Sequence, residues 1–369
     1  MTEHPLFDLT LTDEQSLMRD TVRKFATTEM REGSRAADEA GEAPEGFYER
    51  AVELGFNMVP IPEDLGGIGA ERSPVSNMLI AEDLANGDMA LAIGAMSSLS
   101  FINTVIDQGS DAQKESLLPR FTEDAFVPAT VALMEKGVRF DPLKPRAKAQ
   151  KAGDGYTLRG VKTMVPLADQ AELMIVIASE EGREPAAFVV DKSAEGLTVE
   201  AERFMGLRPL SMCKVTLDDV SVPADARLGG DRPFDLRRFV DLSRVGIAAL
   251  SVGVGQAVLD YVKEYCNERV AFGEPITRRQ SVAFMIADIA IELDAMRLMV
   301  YRAAARAEQG LDFHREAYLA RVQCAEKGMR IGTDGVQLLG GHGFIREHMV
   351  ELWYRNIRAV GLLEGCVAV

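Results

Sequence analysis

The chain has 369 residues, 47% hydrophobic and 27% charged, an ordinary globular composition long enough for two or three domains with substantial cores. Its 41 basic and 57 acidic residues leave a net charge of −16. That charge repels polyphosphate backbones, which excludes nucleic acid as a partner and requires a local group of Arg and Lys for any phosphorylated ligand.

The amino terminus, MTEHPLFDLTLTDEQ, has no basic region followed by an apolar run. Thr12-x-x-Gln15 has the form of a capping box, and Met18, Val22 and Phe25 follow at helical spacing. Further helices are expected over 46–55, 73–86, 88–108 and 111–121, with the turn-rich Ile61-Pro-Glu-Asp-Leu-Gly-Gly-Ile-Gly69 between them. Residues 1–124 thus form a helical domain.

Over 125–232 the character changes to short β-rich runs, Val127–Met134, Tyr156–Val165, Leu173–Ala178, Ala186–Val190 and Lys214–Val222. With turn residues between them and no helix, these predict a small antiparallel barrel or sandwich. From 233 to 369 the helical period returns. Met285, Ile289, Leu293, Met296, Val300 and Ala304 make one buried stripe ending near Gly310, a natural C-terminal cap, and such helices pack as a bundle. The fold class is mainly α with a central β-domain.

The best apolar run, Val245–Leu259, is interrupted by Ser251 and Gln256 and falls short of about 18 residues, so no membrane association is expected. Cys213, Cys266, Cys324 and Cys366 are widely spaced, which favours a reducing compartment and, with the missing leader, a cytoplasmic protein. The four histidines, His4, His314, His342 and His348, are too scattered for a metal cluster. Gly253-Val-Gly255 lies inside a helical pattern and lacks the strand-turn-helix context of a dinucleotide site.

Three carboxy-terminal stretches stand out. Arg269-x-x-Phe272-Gly273 with Gln280 is either a phosphate clamp with a stacking ring or a helix–helix turn. Gln337-Leu-Leu-Gly340-Gly341-His-Gly-Phe344 either lets a backbone approach a ligand or simply ends a helix. Leu362-Leu363-Glu364-Gly365 presents a carboxylate poised for desolvation, or a surface glutamate at a turn.

Together with Pro62-Glu-Asp-Leu-Gly-Gly67, Ala81-Glu-Asp-Leu-Ala85, Gly160-Val-Lys162, Gly206-Leu-Arg208 and Val220-Ser-Val-Pro223, these stretches make the whole chain resemble the acyl-CoA dehydrogenase family. The resemblance implies an N-terminal helical domain, a middle β-domain and a C-terminal four-helix bundle. It implies FAD as cofactor, an acyl-CoA substrate oxidised to the 2-enoyl-CoA, and an electron-transfer flavoprotein as acceptor. Glu364 falls on the base position, with the α-proton going to it and the β-hydride to flavin N5. Arg244 matches an arginine lining the substrate side. Ser243 stands where some members carry their base, and Gly365 follows the carboxylate. Arg269, Phe272, Gln280, Gln337, Gly340 and Gly341 match contacts to the adenosine end of a flavin bound mainly to a neighbouring subunit, which implies a homotetramer or heterotetramer.

Where the family holds the isoalloxazine ring, this chain differs. Met134 begins the stretch that replaces T-E-P-G-x-G-S-D, and Met164, Val165 and Pro166 stand for W-I-T. Cys366 stands for the threonine after Glu-Gly. Three readings follow: an active dehydrogenase with substituted flavin contacts, one half of a heteromeric dehydrogenase, or a structural subunit.

Overall fold

The capping box forms as its residues dictate. In the computed structural model, which describes residues 9–123 and 125–369, the Thr12 hydroxyl accepts from the Gln15 amide and the Gln15 side chain accepts from the Thr12 amide. The helix it starts, α1 (Asp13–Phe25), passes through a π-helical turn at Ala26–Met30 into α2 (Arg31–Ala40). The short α3 (Phe47–Val52) precedes α4 (Pro74–Gly87), α5 (Met89–Ala95), α6 (Ser97–Gln108) and α7 (Asp111–Leu117). The single helix expected over 88–108 is therefore two, bent by 41° at Met96. Asp88 caps the first of them by accepting from the Ala90 and Leu91 amides.

The β-domain has seven strands: β1 (Ala129–Ala132), β2 (Lys148–Ala152), β3 (Gly155–Pro166), β4 (Leu173–Glu180), β5 (Ala186–Asp191), β6 (Leu197–Glu202) and β7 (Met212–Pro223). Their order is β1-β4-β2-β3-β7-β6, with β5 on the other edge of β4. The sheet is mixed, not purely antiparallel, because β1 and β2 both run parallel to β4. The long irregular connection 133–147 allows this, letting the two strands lie end to end along one edge. Buried Glu135 pins that connection: its carboxylate accepts from the Arg146 and Ala147 amides and from Lys162 Nζ at 2.8 Å. Strands β2 and β6 were not expected; their faces are mostly exposed and carry no alternating apolar signal.

The C-terminal part is built on α8 (Leu236–Glu268), a 33-residue helix whose first two-thirds is almost wholly buried. A tight hairpin, β8 (Val270–Ala271) and β9 (Glu274–Pro275), turns the chain into α9 (Gln280–Glu308). Then come α10 (His314–Leu338), a 3-10 segment at Gly340–Phe344, α11 (Val350–Ile357) and a 3-10 turn at Arg358–Gly361. The expected α9 stripe is buried from Ile289 through Ala304, and Gly310 takes the left-handed conformation (φ +68°) just past the helix. One helix, α8, is long and apolar enough to cross a membrane, yet most of that stretch is packed inside the fold.

Gly253 explains how α8 can be so central. A Cβ there would collide with the carbonyl oxygen of Glu82 on α4 and stand 3.0 Å from Ala85 and Asn86. The Gly-Val-Gly motif is thus a helix-crossing device. A third apolar cluster welds the domains together: Phe101 and Val105 of α6, Phe121, Val131 of β1, Ile175 of β4, and Phe239 and Val240 of α8.

Candidate active site

Glu364 lies in the irregular segment just after the Arg358–Gly361 turn, with Leu363 fully buried beneath it. Gly365 follows at φ +75°, where a Cβ would press on Leu133 at 2.7 Å, so glycine is required by both backbone and space. The Glu364 carboxylate keeps only 17% of its exposure, and its Oε2 has no hydrogen-bond partner. Burial pushes its pKa upward, and Arg244 and Arg321 oppose that rise without cancelling it.

Arg244 comes from α8. Its Nε stands 3.6 Å from Glu364 Oε2, an ion-pair distance too long for a hydrogen bond. Its guanidinium also lies over the Tyr318 ring at 5.6 Å. Arg321, from α10, donates to the Leu363 carbonyl at 2.8 Å and fixes the carboxylate-bearing segment from behind. Arg244, Tyr318, Arg321, Arg358 and Glu364 line a cavity of about 420 Å³ open to solvent. Ser243 is buried beside Arg244 with an unpartnered hydroxyl. Cys366 is buried too, and burial raises its thiol pKa to about 12, which leaves it inert. All four cysteines are free.

The structure brings Met134 to the same place. Its sulfur accepts the Glu364 backbone N–H at 3.3 Å. On β3, Met164 sits in a bulge at φ +52°, and Glu202 of β6 takes both the Met164 N–H (3.1 Å) and the Thr163 hydroxyl. Val165 and Pro166 are buried, and Pro166 has no N–H. At the positions where the resemblance expects flavin-ring contacts, the Met164 N–H and the Thr163 hydroxyl are thus already paired with Glu202, and Pro166 has no N–H to donate.

A second set of expected residues gathers about the far end of α8. Phe272 and Gly273 both have positive φ, as a two-residue hairpin turn needs, and the Phe272 ring is 96% exposed with Arg279 across its face. Arg269, Gln280 and Gln337 are exposed, and among the described residues their side chains have no hydrogen-bond or ion-pair partner. Gly340 and Gly341 have open space where a Cβ would be, as a backbone cradle would. The Tyr265 hydroxyl bonds His342 Nδ1 at 2.6 Å and ties this turn to α8. The two sets do not meet: Arg244 and Arg269 lie 25 residues apart on, and just past, one continuous helix.

Sequence reasoning missed Arg321, Tyr318, Asp241, His314 and Glu202. The available signal was Arg321, a cation inside the buried stripe Ala317, Ala320, Cys324, Gly328 and Ile331.

Three family models match the chain: acyl-CoA dehydrogenase N-terminal domain over 12–124, middle domain over 130–220 and C-terminal domain over 236–369. The probable acyl-CoA dehydrogenase YngJ of Bacillus subtilis is 32% identical over 366 residues, covering 96% of this chain and 95% of the relative. The caffeyl-CoA reductase-Etf complex subunit CarC of Acetobacterium woodii is 33% identical over 361 residues, covering 95% and 93%. Among solved structures, butyryl-CoA dehydrogenase from Megasphaera elsdenii superposes with a TM-score of 0.88 at 28% identity, covering 96% of this chain and 95% of that one.

Proposed function

The chain belongs to the acyl-CoA dehydrogenase family, FAD-dependent enzymes acting on CH–CH bonds, and from that premise we propose that it oxidises an acyl-CoA thioester to the 2-enoyl-CoA with Glu364 as base. The observation that carries the reading is Glu364 itself: a desolvated carboxylate with a free Oε2, on a solvent-open cavity lined by arginines. Such a group is more basic than an exposed glutamate, which suits it to accept the substrate α-proton. Arg321 holds its segment through the Leu363 carbonyl, and Gly365 lets the chain turn tightly behind it. Bound FAD supplies the two-electron acceptor for the β-hydrogen. The Glu364 N–H, now bonded to the Met134 sulfur, would be a donor for the thioester oxygen once that weak contact gave way. The name of CarC, a subunit of a complex with an electron-transferring flavoprotein, supports such a protein as redox partner, and in this reading it takes the electrons.

The cofactor's two ends fit differently. Arg269, Phe272, Gln280, Gln337 and the Gly340–Gly341 cradle are exposed and uncommitted, as residues awaiting an adenosine pyrophosphate should be. At the positions expected to meet the ring, Met134 is bonded to the Glu364 N–H, Glu202 takes the Met164 N–H, and Pro166 offers no donor. That asymmetry favours a second reading, in which this chain is one half of a heteromeric enzyme and lends its clamp to a partner subunit. An absorbance scan of the chain purified alone separates the two. Flavin near one per chain, bleached by an acyl-CoA and unbleached in Glu364→Gln, establishes the first. A colourless chain that recovers colour and turnover only when co-expressed with a second dehydrogenase subunit establishes the second.

A further inference from the structure

Arg244 is pulled in two directions. Toward the cavity it faces Glu364 at 3.6 Å, and toward the interior its Nη1 faces Asp241 Oδ1, one helical turn earlier, at 3.5 Å. Both contacts are loose, and Arg244 Nε has no hydrogen-bond partner although the residue is 8% exposed. Asp241 is still more buried, at 2%. Its carboxylate is held from the other helix by His314, the first residue of α10, whose Nδ1 lies 2.8 and 3.0 Å from the two oxygens. Four groups therefore alternate in a line: His314, Asp241, Arg244, Glu364. The other charged or titratable groups around Glu364 are Arg321, Tyr318 and Glu326 on α10, Arg358 on the preceding turn and the Cys366 thiol. Beside Asp241 there is also Arg237.

A buried guanidinium flanked by two carboxylates settles where the summed attraction is greatest. With Asp241 neutral or absent, only Glu364 remains, and the short shift from 3.6 Å to a paired fork would be favourable. A base locked in such a fork has both a lowered proton affinity and a blocked oxygen. We propose that Asp241, itself anchored by His314, is a positioning residue that keeps Arg244 from closing onto Glu364 and so leaves that carboxylate free to act. The inference rests on the reading of Glu364 as base.

The test is a titration of the Glu364 side-chain carboxyl carbon by NMR in the full chain labelled with ¹³C at glutamate Cδ, the resonance being assigned by its loss in Glu364→Gln. Asp241 also raises the Glu364 pKa directly by like-charge repulsion, so the test compares backgrounds. With Arg244 present, Asp241→Asn is expected to lower the midpoint by about one pH unit, a roughly tenfold loss of proton affinity. In Arg244→Gln, where only the lost repulsion remains, it is expected to lower it by clearly less. An equal drop in both backgrounds overturns the inference. His314→Ala is expected to lower it in the same direction, while His314→Gln, whose amide still donates to Asp241, returns it toward the wild-type value. The half-exposed position of His314 makes that pair tolerant of substitution, so it decides the matter by the same criterion if Asp241→Asn does not fold. An unchanged midpoint in Asp241→Asn and His314→Ala, or in the histidine pair alone, overturns the inference. A Glu364→Gln enzyme that still turns over acyl-CoA overturns the base reading instead, and shows in activity rather than in the midpoint.

Discussion

At the scale of single residues, the proposed chemistry turns on how Glu364 is surrounded. Because burial raises its pKa, the ionised base is depleted at low pH sooner than an exposed glutamate of pKa about 4.3 would be. The acid limb of kcat is therefore expected above that value, and a limb at or below it in a pH–rate profile would contradict the reading. The sign for stability is opposite: a raised carboxylate pKa favours the folded state below the ordinary value, and that contribution is lost as pH rises through the raised one. Replacing the base by Gln should cut kcat by about 10²–10⁴-fold with little change in Tm. Met134→Ala uncovers the Glu364 N–H, now paired with a weak thioether acceptor. It should tighten a thioester substrate analogue by about fivefold, near the worth of one neutral hydrogen bond, at some cost in core packing. Calorimetric binding showing no gain would mean that the sulfur does not guard that amide. The leucines and glycine around Glu364 left it open between a desolvated carboxylate and a surface glutamate at a turn, and only the family resemblance gave it a role; the fold buries it. Its partners were not legible, since Arg321, Asp241 and His314 reach it only through the crossing of α8 and α10, which no local pattern records.

Among elements, the helices were read closely and the sheet less so, for physical reasons. Helical stripes such as Ile289–Leu293–Met296–Val300 announce a buried face along one segment. Strand β2 and the edge strand β6 bury so little that alternation disappears, and the parallel β1–β4 and β2–β4 pairings depend on a connection held by Glu135 and Lys162. The bend at Met96 lies among Gly94, Ser97 and Ser98, a helix-weakening cluster passed over within an otherwise helical stretch. Gly253 sits on the boundary between the two cases: its sequence neighbourhood suggested a ligand loop that the helical period excluded, and its contacts make it the point where α8 meets α4. Gly253→Leu should therefore cost about 1–3 kcal/mol or more through overpacking and lower Tm by several degrees. An unchanged thermal melt would show that α4 and α8 can separate without penalty.

For the whole molecule, the arrangement sorts the expected flavin contacts into two groups, one enclosed near Glu364 and one exposed around Phe272. Phe272→Ala removes an almost fully exposed ring that meets Arg279 across its face, so stability should change by no more than about the 0.5 kcal/mol typical of surface changes. If that ring serves a cofactor shared between subunits, the flavin retained through gel filtration should nevertheless fall; equal retention would assign the hairpin to the surface of a lone chain. The two groups are joined by α8, which carries Arg244 near its start and hands over to Arg269 at its end. At the rise of an α-helix those residues are about 38 Å apart along the axis, and the shaft between them is clamped by α4, α9 and α10. A shaft so braced acts as a ruler. In an assembly where each copy lends its hairpin to the next, the length of α8 fixes how far one reaction centre stands from the neighbour's. A one-residue insertion or deletion in its buried middle would turn the hairpin about 100° around the axis and misalign every site in the assembly at once.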